Sequence, residues 1–298
     1  MYAFTVEPLY IKSDENLIAA DFYRPKNIIK PAVIIMAPSF AGLRQFKLGQ
    51  YAQRFAQAGY AVVVFDYRFW GASTGEPREL ISLEYQIDDW KKVIQFLSSS
   101  PKVDARKLVL WGAALSGGYV LTLAAQLKNI YAVMVQTPFV DGVASAKLYP
   151  MLQLLKVLKL SSQDYMGSKI GASAKTLPVV HPSALCFMPS QSSYQGYMSI
   201  INPDYYWSGE VPARVFFHLI RYRPIQAVAD IQIPVLFIAA QYDHLIPIES
   251  SREAARKMSQ VVQYCEWDIS HFDLYSPQWL EKSISIQLEF LQQHFGVS

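Results

Sequence analysis

Five short runs of apolar, largely β-branched residues constrain the fold of this chain more than any other feature: Ala32–Met36, Ala61–Phe65 (closed by Asp66), Lys107–Trp111, Tyr131–Gln136 and Val235–Ala240. A strand without polar alternation is buried on both faces, which is the signature of a parallel sheet covered by helices. Helical spacing fills the intervals, over Leu48–Ala58 before the terminator Gly59, Glu84–Leu97 and about Gly117–Leu127. After the fifth run come a helix over Ile248–Met258, a strand over Val262–Trp267 and a closing helix from about Gln278 to Phe295. Two further strands, Tyr2–Ile11 and Leu17–Tyr23, lead the chain around a polar turn. The alternation predicts an α/β fold with a mostly parallel central sheet and helices on both faces. Right-handed crossovers then gather the strand C-termini along one edge, where loops carry chemistry.

The rhythm breaks between Asp141 and Arg223, a stretch too long to be a loop. Its helical pattern over Lys147–Leu158, scattered prolines and many aromatics predict a helical cap, residues 141–223, inserted into a core of residues 1–140 and 224–298. With 298 residues, 52% hydrophobic and 17% charged, the chain has ample core material. A net charge of +3 with dispersed basic residues gives no reason to expect a nucleic-acid partner. The two cysteines, Cys186 and Cys265, lack metal-ligand spacing, and no start resembling a secretory signal is visible, so a cytoplasmic protein is expected. No stretch approaches the roughly 18 apolar residues of a membrane span. No phosphate loop or metal constellation appears, so neither cofactor nor metal is expected. A homodimer is compatible with the sequence but not demanded by it.

The third apolar run leads into Gly112-Ala113-Ala114-Leu115-Ser116-Gly117-Gly118 and then a helix. A sharp strand-to-helix turn of small residues is where a nucleophile elbow belongs. Two registers fit: Gly112-x-Ala114-x-Ser116 puts Ala114 at the nucleophile position, and Ala114-x-Ser116-x-Gly118 puts Ser116 there. The apolar run ends at Trp111, which favours the first. Asp243 follows the Val235–Ala240 strand, and His271 follows the Val262–Trp267 strand. In that order His271 is the candidate general base and Asp243 the acid that fixes its tautomer. Asp141 is the alternative acid, with a local turn that starts the cap as its structural role. The oxyanion donors expected are the N–H of Leu115, after the elbow, and that of Phe40 in the loop Ala37–Gly42. Pro38 cannot donate.

Asp66-Tyr67-Arg68-Phe69-Trp70-Gly71-Ala72-Ser73-Thr74-Gly75 resembles the turn after the fourth strand of bacterial and fungal α/β-hydrolases. The segments Leu110–Gly118, Gln136–Gly142 and Ser270–Tyr275 are also similar to motifs of serine esterase-like and polyketide-transferase-like members of that superfamily. The resemblance implies an α/β-hydrolase fold and a serine nucleophile at the position of Ala114. It further implies an acyl-enzyme and transfer of the acyl group to water or another acceptor, with Asp243 and His271 as triad members. Two departures stand out. Pro38-Ser39 replaces the His-Gly of that group, and Ala114 removes the nucleophile. Since Asp243 and His271 remain, the alanine reads as a Ser→Ala substitution made to silence the enzyme or trap its substrate. The alternative is a natural non-catalytic protein that binds a hydrophobic small molecule in the former site. Cap aromatics and methionines (Phe187, Met188, Tyr194, Tyr197, Met198, Tyr205, Tyr206 and Trp207) point to a hydrophobic acyl or aryl ester or thioester as partner.

Overall fold

The apolar runs pair with one another in the computed structural model, which describes residues 1–258 and 260–295. The strands are β1 (Phe4–Ser13), β2 (Asn16–Pro25), β3 (Val33–Met36), β4 (Ala61–Phe65), β5 (Leu108–Ala113), β6 (Ala132–Gln136), β7 (Thr176–Pro178), β8 (Glu210–Pro212), β9 (Val235–Ala240) and β10 (Val262–Trp267). Eight of them form one sheet in the order β1-β2-β4-β3-β5-β6-β9-β10. The β1–β2 and β2–β4 pairs are antiparallel and every other pair is parallel. This is an α/β-hydrolase fold.

Why the central strands lack polar alternation is plain from their two faces. Ile34, Met36, Val62, Val64, Val109 and Trp111 pack on one side. Val33, Ile35, Val63, Phe65, Leu108 and Leu110 pack on the other. With a side-chain period of two, both sets must be apolar when both faces are covered. Truncating one such buried isoleucine to alanine costs about 2–5 kcal/mol. Helices α1 (Leu48–Gln57) and α9 (Pro277–Phe295) cover the first face, through residues such as Tyr51, Phe55, Ile284 and Leu291. Helices α2 (Leu83–Ser98), α3 (Ala114–Gln126) and α8 (Ile248–Lys257) cover the second, through Trp90, Val93, Leu121 and Ala254.

Between β6 and β9 the chain forms α4 (Gly142–Ala146), α5 (Met151–Lys169), α6 (Gln191–Ile200), α7 (Val215–Arg221) and the small β7–β8 sheet. The helix expected over Lys147–Leu158 starts later and runs longer: after α4 ends at Ala146, Pro150 precedes α5, which begins at Met151 and continues to Lys169. The elbow also differs from expectation, because β5 continues to Ala113 and α3 begins at Ala114 rather than near Gly117. Both cysteines are free. No helix among the described residues is long and apolar enough to cross a membrane.

Candidate active site

At the elbow the backbone itself is unusual: Ala114 has φ 44°, a left-handed conformation at a non-glycine residue. Such a residue costs on the order of 1 kcal/mol and persists only where its surroundings fix it. They do so here by close packing. A Cβ on Gly112 would lie 2.5 Å from the Ser116 carbonyl oxygen, and one on Gly118 would lie 2.4 Å from that of Phe139. The Phe139 N–H also donates to the Ala114 carbonyl at 2.8 Å. Ser116 is fully buried and donates to the Ala37 carbonyl at 3.0 Å, so its hydroxyl ties α3 to the loop after β3. Ala114, not Ser116, lines the neighbouring cavity.

Asp243 and His271, 28 residues apart, meet at the same edge. His271 Nδ1 lies 2.6 Å from Asp243 Oδ2, and both side chains are buried. The other carboxylate oxygen accepts the N–H groups of Leu245 at 2.8 Å and Ile246 at 2.9 Å. An acceptor held on both oxygens makes Nδ1 the donor, leaving Nε2 as the basic nitrogen. The base loop is fixed from below, where the Tyr51 hydroxyl donates to the Leu274 carbonyl at 3.2 Å. Asp141 does not reach His271. Its carboxylate caps α4 and pairs with Arg223 at 2.9 Å.

The loop between β3 and α1 supplies the third part. Arg44, at its end, is anchored to Asp66 and to Asp21 (2.9 Å), which braces the loop against the turn after β4. The N–H of Leu115, the expected oxyanion donor, is engaged by Ser39, whose Oγ accepts it at 3.2 Å. Among the described residues, the Phe40 N–H has no acceptor, and Phe40 lines the cavity. The Ser39 contact is invisible in the sequence, where Ser39 is only one small polar residue in a loop.

Helix α6, which no pattern foretold, touches all three loops. The Tyr197 hydroxyl donates to the Phe40 carbonyl at 2.8 Å, and the Tyr197 ring packs on Phe272 beside the base. Ser193, fully buried, places its Oγ 2.8 Å from His244 Nε2 and receives a hydrogen bond from the Ser190 hydroxyl at 2.8 Å. Burial holds the His244 imidazole below its ordinary pKa, and nearby His271 adds to this against the opposing pull of Asp243.

These groups open on one cavity of about 300 Å³ that includes Ala114, Leu115, Phe40 and His271 in its lining. Of the cap residues singled out in the sequence, Phe187, Met188 and Tyr197 line it. Met198, Tyr205 and Tyr206 are instead exposed, while Tyr194 and Trp207 pack against the core. Phe46, Phe139, Tyr149, Phe216 and Leu219 complete the apolar wall; they come from four separate segments with no shared motif.

Strand order, elbow and the Asp–His pair define the class as α/β hydrolase. Comparison with known sequences narrows it: residues 45–267 match the family described as serine aminopeptidase, S33, and the chain belongs to that family of hydrolases. The chain is 33% identical to the quorum-quenching protein AidA of Acinetobacter baumannii (strain MDR-ZJ06), over 96% of this chain and 95% of that protein. It is 23% identical to the polyketide transferase ATR5 of Stachybotrys chlorohalonatus (strain IBT 40285), over 98% and 99% respectively. Among solved structures, DcsB in complex with its substrate analogue superposes with a TM-score of 0.83, at 22% identity over 97% of this chain and 99% of that one.

Proposed function

We propose that the cavity is an acyl hydrolase or acyltransferase site of the Ser-His-Asp kind in which Ala114 occupies the nucleophile's place. One observation carries the reading. A strained elbow residue and a buried, hydrogen-bonded His271–Asp243 pair line the same apolar cavity. Neither the strain nor the buried Asp–His hydrogen bond has an evident structural use there. The apolar walls suit a hydrophobic acyl or aryl ester or thioester. The polyketide transferase and quorum-quenching relatives support acyl chemistry on small molecules.

In the reaction so read, a serine hydroxyl at position 114 adds to the substrate carbonyl while Nε2 of His271 takes its proton. Asp243 stabilises the imidazolium that forms. The carbonyl oxygen, now an anion, takes the N–H groups of Leu115 and Phe40 once the Ser39 hydroxyl turns aside. Collapse expels the alcohol or thiol, which leaves with the proton from His271. Water or another acceptor then releases the acyl group by the same steps reversed. With alanine at 114 the first bond cannot form, and the chain holds its acyl ligand without turnover.

The test is Ala114→Ser. The substituted protein should hydrolyse short aryl esters or thioesters and be labelled by a fluorophosphonate at residue 114, while the chain with alanine does neither. A folded Ala114→Ser protein inert to both, with saturable ligand binding by the unsubstituted chain, would replace this reading with that of a non-catalytic binder.

A further inference from the structure

Helix α5 is apolar on two sides and packed on one. Val157, Ser161 and Asp164 are buried, and Leu154, Leu158 and Leu160 pack against the core. On the outer side Met151, Leu152 and Leu155 are 70%, 66% and 56% exposed, and Met166 and Ile170 are 67% and 83% exposed. Four large apolar side chains on one side of this helix, with Ile170 just past its end, stand in solvent and call for a partner.

The charges say which partner. Between residues 142 and 180 the chain has five lysines (147, 156, 159, 169 and 175) and one acid, Asp164, which is buried and paired with Arg214. All five lysines are exposed, so every exposed charge of this segment is positive. The imbalance extends to the whole insertion. Residues 141–223 hold eight basic and four acidic residues, so that the remaining 19 basic and 20 acidic residues leave the core slightly negative. The net charge that looked dispersed along the sequence therefore belongs to one unit of the structure. A second copy packed on this face would bring a second set of the same exposed lysines to it, with no exposed acid of this segment to pair them. An anionic lipid surface instead accepts the apolar row and satisfies the lysines beside it.

We propose that α5 docks this protein on an anionic bilayer, with Met151, Leu152 and Leu155 entering the interfacial region and Lys156 and Lys159 meeting the headgroups. Leu148, Tyr149 and Pro150, which lead into that helix, line the cavity. The docked face thus adjoins the binding site, and an apolar ligand dissolved in the lipid has a short path into it. That last step rests on the acyl-site reading; the docking does not.

The experiment is vesicle co-sedimentation of the unsubstituted chain, which has no activity readout and so stands apart from the Ala114→Ser assay. The vesicles are phosphatidylcholine alone or phosphatidylcholine with about one third phosphatidylglycerol. Partition should be at least about tenfold higher on the anionic vesicles. It should fall away in about 1 M salt, where screening shortens to about 3 Å. Lys156→Gln and Lys159→Gln should each lower it about fivefold. Leu152→Asp with Leu155→Asp should abolish it at unchanged circular dichroism. Equal partition on both vesicles, or none on either, overturns the proposal. So does sedimentation velocity that finds a dimer broken by Leu155→Asp, which would give the face to a second copy.

Discussion

Two aspartates at one edge of the sheet use the same local device for different ends. Asp141 follows β6 and Asp243 follows β9. Each turns Oδ1 back on the N–H groups two and three residues ahead: Val143 and Ala144 in one case, Leu245 and Ile246 in the other. The side-chain partner differs: Arg223 grips both oxygens of Asp141, through Nε on Oδ1 and a terminal nitrogen on Oδ2, whereas His271 meets only Oδ2 of Asp243. Asp141 meets Arg223, a permanent cation half open to solvent, whereas Asp243 meets the buried imidazole of His271. Burial alone would raise the Asp141 carboxyl, but Arg223 and the two N–H donors outweigh it and hold the group below the ordinary carboxylate range. The first arrangement fixes where the cap begins. The second leaves a nitrogen able to take and return a proton. The same Asx-type turn thus serves two partners, a permanent cation in one case and an imidazole in the other.

The largest effect that would break this contrast is in turnover. In a chain carrying Ala114→Ser, Asp243→Asn should lower kcat about 10⁴-fold, because the amide no longer selects the Nδ1–H tautomer. Asp141→Asn in the same background should leave kcat within its order of magnitude. Comparable losses from both, measured as steady-state hydrolysis of an aryl ester, would mean that the two carboxylates are not distinguished by their partners. Stability should sort the pair the other way. Asp141→Ala removes the side-chain cap of α4 and should cost about 1 kcal/mol in denaturant unfolding. An unchanged unfolding midpoint would remove Asp141 from its structural role.

Helix α6 offers a finer test, since it contacts the Asp243 side of the site and not the Asp141 side. Tyr197→Phe deletes the hydrogen bond to the Phe40 carbonyl, a contact worth about 1 kcal/mol. With Ala114→Ser present, kcat/KM should fall about fivefold through the oxyanion loop, while the pH profile keeps its position. A shifted profile would mean that Tyr197 acts through the base loop instead.

The contrast between the two aspartates was only half legible in the sequence. Strand ends were marked by where apolar runs stopped, so Asp243 and His271 could be placed on one edge from spacing alone. Central strands are easy to recognise because both faces must be apolar. The onset of α3 at Ala114 was not legible. A left-handed residue that directly opens a helix has no compositional mark when the residue is alanine. Helix α6 was hidden for another reason: Gln191-Ser-Ser-Tyr-Gln-Gly-Tyr carries no apolar stripe, and its stability comes from contacts with three distant loops. The Ser39 hydroxyl on the Leu115 N–H depends on loop conformation, which sequence spacing does not encode.

The smallest effect expected comes from His244, the neighbour that Asp243 has and Asp141 lacks. Its Nε2 lies 2.8 Å from the Ser193 hydroxyl, and burial depresses its pKa below the ordinary 6.5. A histidine depressed in the native state binds its proton more readily in the unfolded chain. Its contribution to stability is therefore complete above about pH 6.5 and is lost as pH falls below it. Measured as melting temperature against pH, His244→Gln should remove a share of acid-side destabilisation between about pH 7 and about pH 5, while Asp89, whose carboxyl burial raises to about 6, acts in the opposite direction equally in both proteins. His218, also depressed by burial, titrates in the same direction and is unchanged in both proteins, so the difference between the two curves isolates His244. Parallel curves would mean that His244 is as free to protonate in the native state as in the unfolded one. The Asp243 loop would then be no more sensitive to pH in this range than the Asp141 loop, where the titrating partner is replaced by an arginine that stays charged throughout.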